Sequence, residues 1–376
     1  MLLSEDHLAI QDAVRQYVQA AIAPHAAAWD KSHHFPAEQL AGLAALGCYG
    51  VAVPSEWGGA GLDYLSLAII LEEIAAGDGA TSTVVSVNNC PVCSILMAFA
   101  DDGQKRRFLV PLARGEALGA FCLTEPHVGS EAGGLRTTAR RDGDHYVLDG
   151  VKQFITSGKN GQFAIVMAVT DKAAGKRGIS AFVVPTDSPG YQVARLEDKM
   201  GQHASDTAQI VFDGCRVPLS HRLGDEGMGL RIALSGLEGG RIGIASQSVG
   251  MARAAFEAAL AYSKERTAFG QPIFQHQAVQ FKLADMATRI EAARQLIHHA
   301  ASLKDVGRPC LKEAAMAKLF ASEMAEAVCS AAIQVFGGYG YVSDFPVERI
   351  YRDVRVCQIY EGTSEVQKIL IGRALG

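Results

Sequence analysis

Tyr146-Val147-Leu148, Ala164-Ile165-Val166-Met167-Ala168-Val169, Ile179-Ser180-Ala181-Phe182-Val183-Val184 and Gln209-Ile210-Val211-Phe212 are the runs that decide the fold. Each has the length of a strand and favours β-branched or large apolar residues. Turn-forming residues separate them: Asp142-Gly143-Asp144, Asp149-Gly150, Gly175 and Asp213-Gly214. No helix-sized periodic segment intervenes, so the pattern predicts an antiparallel all-β unit over 119–222 rather than a βαβ array.

On both sides of this unit the period changes to that of helices. Residues 1–118 are rich in Ala and Leu, with Leu8, Val14, Tyr17 and Val18 near one helical face and Pro36, Pro54, Pro91 and Pro111 as punctuation. In 223–376, Met316, Leu319, Phe320, Met324, Ala327, Val328, Ala331 and Val335 predict one apolar stripe, stopped by Gly337-Gly338. The reading is an α+β multidomain chain: an α-helical domain over 1–118, a middle β-barrel domain over 119–222 and a C-terminal helical bundle over 223–376.

The 376 residues suffice for several cores, and 49% hydrophobic with 20% charged residues excludes a disordered chain. A net charge of −5 argues against nucleic-acid binding. No apolar run reads as a membrane span, and the N-terminus lacks the basic and apolar regions of a secretory leader. A bacterial cytoplasm is the expectation, or the mitochondrial matrix for a processed chain. The eight cysteines are scattered; Cys90-Pro91-Val92-Cys93 is a lone CxxC and reads as two buried apolar thiols. The adjacent pair His33-His34 points to no metal, and no metal is expected. Gly58-Gly59-Ala60-Gly61 is no dinucleotide loop, because Tyr64 occupies the place of the third small residue.

Three stretches look built for a ligand. Thr124-Glu125-Pro126-His127-Val128-Gly129-Ser130 follows a strand and offers hydroxyls and backbone N–H groups. Phe154 and Thr156 alternate onto one strand face, an aromatic plate beside a hydroxyl. Glu361, between Ile359-Tyr360 and Gly362, is a carboxylate in an apolar setting, where its pKa rises and it becomes a usable base.

Leu123-Thr124-Glu125-Pro126 with Gly129-Ser130, the run Ser246 to Gln277, Gln334-Val335-Phe336-Gly337-Gly338 and Ile359 to Gln367 together resemble the acyl-CoA dehydrogenase flavoenzymes, in order and from near residue 4 to near residue 375. The resemblance implies an FAD enzyme that converts an acyl-CoA to a trans-2-enoyl-CoA, the base taking the α-proton, flavin N5 the β-hydride, and electron-transfer flavoprotein the electrons. It implies Glu361 as the base. One branch carries its base at the position matching Gly240, where glycine cannot serve. Thr156 is implied to bond flavin N5 and Thr124 to meet the pyrimidine end of the ring. Phe154 stands where the family usually has Trp, a departure that bears on the electron acceptor. Phe121, Leu123, Ile155 and Ser130 are implied cofactor contacts, Ser130 also touching substrate, and Thr363, Ser364 and Glu365 line the FAD of the same chain. Arg266, Phe269, Gln277, Gln334, Val335, Gly337 and Gly338 match positions that hold the FAD pyrophosphate and adenine across a subunit interface, in a homotetramer built as a dimer of dimers. Glu238, Arg241 and Gly362 match substrate positions. Ser86-Val87-Asn88-Asn89 and Gly239 to Gln247 look most like short-chain, butyryl-type members, with short branched acyl groups as the alternative and a related flavin oxidase after that. The absence of a basic residue in 82–99 disfavours a dicarboxyl-CoA substrate.

Overall fold

The computed structural model describes residues 2–376. Its first third is helical. The helix Glu5–Ala21 starts at Ser4, whose hydroxyl accepts from the His7 N–H. Tyr64–Gly77 and Gly79–Val87 start in the same way at Asp63 and Asp78. Tyr64–Gly77 is buried on nearly every side, as its apolar residues all round its circumference require. Glu72 and Glu73 are buried in it, yet both are paired. Arg294 bonds Glu72 in two places, and Arg15 and Arg253 bond Glu73 at 2.8 and 2.7 Å. Arg253 and Arg294 come from the C-terminal helices, so these charges clamp the two helical parts together.

The middle of the chain is a sheet of strands β1 Gly119–Cys122, β2 Thr138–Asp142, β3 His145–Thr156, β4 Phe163–Val169, β5 Ile179–Pro185, β6 Tyr191–Leu196, β7 Thr207–Pro218 and β8 Arg222–Leu223. The hydrogen-bonded order is β6-β7-β3-β2-β4-β5-β8, with β1 beside β4. Most pairings are antiparallel, as predicted; β1 with β4 and β2 with β4 run parallel, so the sheet is mixed. Alternation of buried residues along β4, β5 and β7 fills one core with Ala164, Val166, Phe182, Val184, Ile210 and Phe212. The opposite face, with Ile165, Met167 and Val183, packs on Val92, Leu96, Phe108 and Leu112 of the first helical part.

The last third is a bundle of Gly229–Glu265, Gln277–Asp305, Leu311–Phe336 and Ser364–Leu375. The buried face of Leu311–Phe336 differs from the predicted stripe. Ala314, Ala317, Ala321, Ala325 and Ala332 point inward with Met324, Val328 and Val335, while Phe320 and Ala327 are exposed. Small residues let the helices approach closely, and that close approach, rather than side-chain bulk, sets the inward face. Gly79–Phe99 and Leu311–Tyr341 are long and apolar enough for a membrane span, contrary to the sequence reading. Their apolar windows are 72% and 50% buried inside the protein, and the first is broken at Cys90, so both read as core segments.

Candidate functional site

The strongest local signal is backbone strain. Among the described residues, the non-glycine positions with positive φ are His33, Phe154, Ser157, Gln202, Phe269 and Glu361. Three of these six are residues singled out by sequence, and such conformations cost about 1–3 kcal/mol each, so they concentrate where a site demands them.

Glu361 has φ 55 and Gly362 φ 91, making a left-handed turn just before the helix Ser364–Leu375. Thr363 caps that helix by accepting from the Val366 N–H. The turn throws the Glu361 carboxylate against the long helix Gly229–Glu265. A Cβ on Gly240 would lie 2.7 Å from Glu361 Oε2. Glycine at 240 is therefore what makes room for the carboxylate. Glu361 Oε2 is buried and has no hydrogen-bond partner. Burial pushes the Glu361 carboxyl up to about 7, against the pull of Arg241 and Lys318. Arg241, 4% exposed, has Nε and one terminal nitrogen without partners, and burial lowers its pKa. Glu238, two residues before Gly240 on that helix, pairs with Lys304 at 3.0 Å and accepts from Cys310 Sγ.

The Thr124 loop and the end of β3 form a second wall. The Gln153 N–H donates to the Thr124 carbonyl. Beneath them Glu125 accepts from the Arg136 and Thr137 N–H groups and from Lys152, whose Nζ also bonds the Leu123 carbonyl. Lys152 and Glu125 are both buried. A register shift between Lys152 and Ile155 leaves Phe154 63% exposed while Ile155 packs in the sheet core. Phe154 is thus turned outward by a bulge, and not by the regular alternation from which the sequence reading placed it on one face with Thr156. Ile155 and Leu123 have their side chains in the core and can offer only backbone to a ligand. Phe121 is half-buried on the same core as Leu123, and Ser130 is exposed on its loop.

This wall meets the Glu361 turn through the loop between β6 and β7. Thr156 pairs with Thr207. Five residues earlier in the chain, Gln202 bonds Asp353 and Thr83, and Tyr360 donates to Gln247. Ser364 Oγ is buried without a partner, while Glu365 is exposed. An exposed aromatic plate, neighbouring hydroxyls and this orphaned Ser364 hydroxyl suit a flat, polar-edged heterocycle such as a flavin.

The remaining predicted residues gather elsewhere. Arg266, Val335, Gly337 and Gly338 line a cavity of about 580 Å³ with Tyr262, Phe336 and Tyr339. Phe269 is 97% exposed, and Gln277 and Gln334 are exposed near by in sequence. Lys318, beside Gly362, and Gln334 share one helix, and their 16-residue separation spans about 24 Å at 1.5 Å per residue.

Sequence reasoning missed Lys152, Lys318 and Gln367. Lys318 Nζ donates to the Gly362 carbonyl at 2.7 Å, and Gln367 Nε2 to the Glu361 and Gly362 carbonyls. The available signal was a lysine amid alanines on a helix too apolar to be a surface one. Cys90 and Cys93 are free, buried thiols whose pKa values burial raises, as the apolar reading required. Atoms of His33, Asp198 and His203 lie within 4.8 Å of one another, but the two imidazoles stack face to face at 4.3 Å and 11°. Their lone pairs run side by side instead of converging, and both nitrogens of His203 already face Asp30 and the Lys199 carbonyl.

Models of the acyl-CoA dehydrogenase N-terminal, middle and C-terminal domains match residues 4–116, 120–215 and 227–376. The human mitochondrial short-chain specific acyl-CoA dehydrogenase is 47% identical over 369 residues, 98% of this chain and 90% of that protein. The solved butyryl-CoA dehydrogenase of Megasphaera elsdenii superposes with a TM-score of 0.97 at 40% identity, covering 100% of this chain and 99% of its own. A chain from structural work on the electron transferring flavoprotein of Acidaminococcus fermentans does so with a TM-score of 0.98 at 44% identity, covering 100% and 99%. Three domain models matched in order, and near-complete coverage at these identities, show that the chain belongs to the acyl-CoA dehydrogenase family of FAD-dependent oxidoreductases acting on a CH–CH bond.

Proposed function

We propose that the chain carries out α,β-dehydrogenation of a short-chain acyl-CoA to the trans-2-enoyl-CoA, with Glu361 as the base. The observation that carries this is the buried, unpartnered Glu361 Oε2 with a carboxyl pKa of about 7, opposite a glycine that leaves it room. An exposed carboxylate is too weak a base for a thioester α-C–H, and burial closes part of that gap. Arg241 keeps a positive charge beside the carboxylate, which limits how far burial neutralises it. The Glu361 backbone N–H, which has no protein acceptor among the described residues, is the chain's own donor for the thioester oxygen.

FAD, when bound, supplies the acceptor of the β-hydrogen. Thr124, Thr156, Phe154, Thr363 and Ser364 would hold its ring end. Arg266, Val335, Gly337 and Gly338 would hold the pyrophosphate and adenine of a partner copy's FAD. The distance of about 24 Å along Leu311–Phe336 favours this division between two copies, and a homotetramer built as a dimer of dimers is the proposed assembly. A short acyl group is favoured by a cavity of about 130 Å³ lined by Tyr64, Asn89, Cys90, Ser94 and Met97. Its Cys90 and Tyr64 lie against Gly239, where a Cβ would sit 2.8 Å from Cys90 Sγ. Electron-transfer flavoprotein is the proposed acceptor, in line with the Acidaminococcus fermentans work. Bacterial cytoplasm or mitochondrial matrix is the proposed setting, since the relatives include bacterial and mitochondrial proteins. We also propose the domain limits 1–118, 119–222 and 223–376.

Anaerobic mixing with butyryl-CoA tests the reading: the flavin absorbance bleaches in the wild type, and Glu361→Gln retains flavin while losing several orders of magnitude in rate. Failure of every short straight or branched acyl-CoA to bleach the flavin would overturn it. Rapid reoxidation by air with product bound would instead indicate an oxidase, the activity named for the 31% identical prolyl acyl carrier protein oxidase AnaB.

A further inference from the structure

We infer that Lys318 and Gln367 are positioning residues for the base: they hold the Glu361–Gly362 turn by its two carbonyl oxygens, and the Lys318 ammonium supplies charge that offsets the buried carboxylate. The inference rests on Glu361 being the base.

Lys318 is fully buried on its helix among small residues, with Ala314, Ala315, Ala321 and Ser322 one turn away. A buried ammonium is costly unless its charge is used. Its hydrogen bond goes to the Gly362 carbonyl at 2.7 Å. Gln367, also fully buried, reaches back from the following helix to the same carbonyl at 2.8 Å and to that of Glu361 at 3.2 Å. Three donor contacts thus converge on two successive carbonyls of a left-handed turn. A Cβ on Gly362 would lie 2.7 Å from Gln367 Nε2, so glycine there is what admits the amide. These contacts hold the two peptides that follow the Glu361 Cα, while the Glu361 N–H on the preceding peptide has no protein acceptor among the described residues. The two residues touch neither substrate nor reacting atoms and act through Glu361.

The charges around this pair come from several elements. Arg241 faces both Glu361 and Lys318 from the long helix. Cys357 and Glu365 face Lys318, and Cys90 faces Glu361. Burial lowers Lys318 to about 8, close enough to neutrality for its charge to respond to the Glu361 carboxyl.

The experiment is the rate of flavin reduction by butyryl-CoA against pH in the flavin-loaded enzyme. Lys318→Met is expected to lower the limiting rate at least tenfold and to move the pH midpoint upward by about one unit, because a positive charge near the carboxylate is gone. Gln367→Leu is expected to lower the limiting rate and leave the midpoint in place, since no charge changes. A Lys318→Met enzyme with wild-type midpoint and rate overturns the inference. If that variant does not fold, a wild-type rate in Gln367→Leu overturns it, and a lowered rate at an unmoved midpoint supports it. Substantial activity in Glu361→Gln would instead overturn the assignment of the base itself.

Discussion

Gly240→Ala separates activity from stability in one substitution. Its methyl would lie 2.7 Å from Glu361 Oε2, 3.0 Å from Cδ and 3.2 Å from Oε1. Ordinary contact begins near 3.4 Å, so the carboxylate must retreat by about 0.7 Å, which the free end of a side chain can do without moving backbone. A displacement of about 1 Å at a reacting group costs roughly 100-fold, so a loss of about 10- to 50-fold in the flavin reduction rate is expected, or roughly 1.4–2.3 kcal/mol. Position 240 is interior to the helix Gly229–Glu265, where Ala is favoured over Gly by about 0.5–1 kcal/mol. Thermal stability should therefore hold or rise while the rate falls. The assay is anaerobic stopped-flow bleaching with butyryl-CoA, beside flavin content and Tm. Bleaching within twofold of the wild-type rate, in a variant that retains its flavin, would refute the placement of the carboxylate over Gly240.

Other outcomes follow from the same geometry. The reduction rate should fall about tenfold per pH unit below about 7 and level off above it, because Glu361 accepts a proton only as the carboxylate; a flat profile between pH 5.5 and 8 would contradict the raised pKa. Lys152→Met leaves Glu125 buried with its charge uncompensated, which should cost about 3–5 kcal/mol in denaturant unfolding and loosen the flavin; the double variant Lys152→Met/Glu125→Gln should recover part of the loss. Arg266→Ala should weaken FAD retention through gel filtration by about 10- to 100-fold, as expected for a lost charge-assisted phosphate contact, and added FAD should restore activity. Undiminished retention would remove Arg266 from the cofactor site.

The strand runs between residues 119 and 222 were legible because alternation and turn chemistry are local. So was the helical character of both flanks. The bulge that exposes Phe154 was not, because a register shift between Lys152 and Ile155 depends on what β7 offers across the sheet. The parallel pairings of β4 depend in the same way on strands distant in sequence. The apolar stripe expected on Leu311–Phe336 failed for a related reason: summing side-chain size picks out Met316, Leu319 and Phe320, whereas a closely packed helix turns its alanines inward. That error hid Lys318, which sits on the alanine face.

The sequence by itself determined the order helical, β, helical, the residues of the Thr124, Phe154 and Glu361 stretches, and that glycine at 240 cannot serve as the base. These follow from periodicity, residue chemistry and motif order, which are properties of neighbours along the chain. Only the tertiary structure decided that Gly240 and Glu361 face each other at contact distance, that burial brings the carboxyl to about 7, and that Lys318 and Gln367 hold its turn. It also set Arg266 and Gly337 in a cleft apart from Glu361. Burial, field and distance arise from separate segments, such as those of Gly240, Lys318 and Glu361, meeting in one core, and no local pattern records which ones meet.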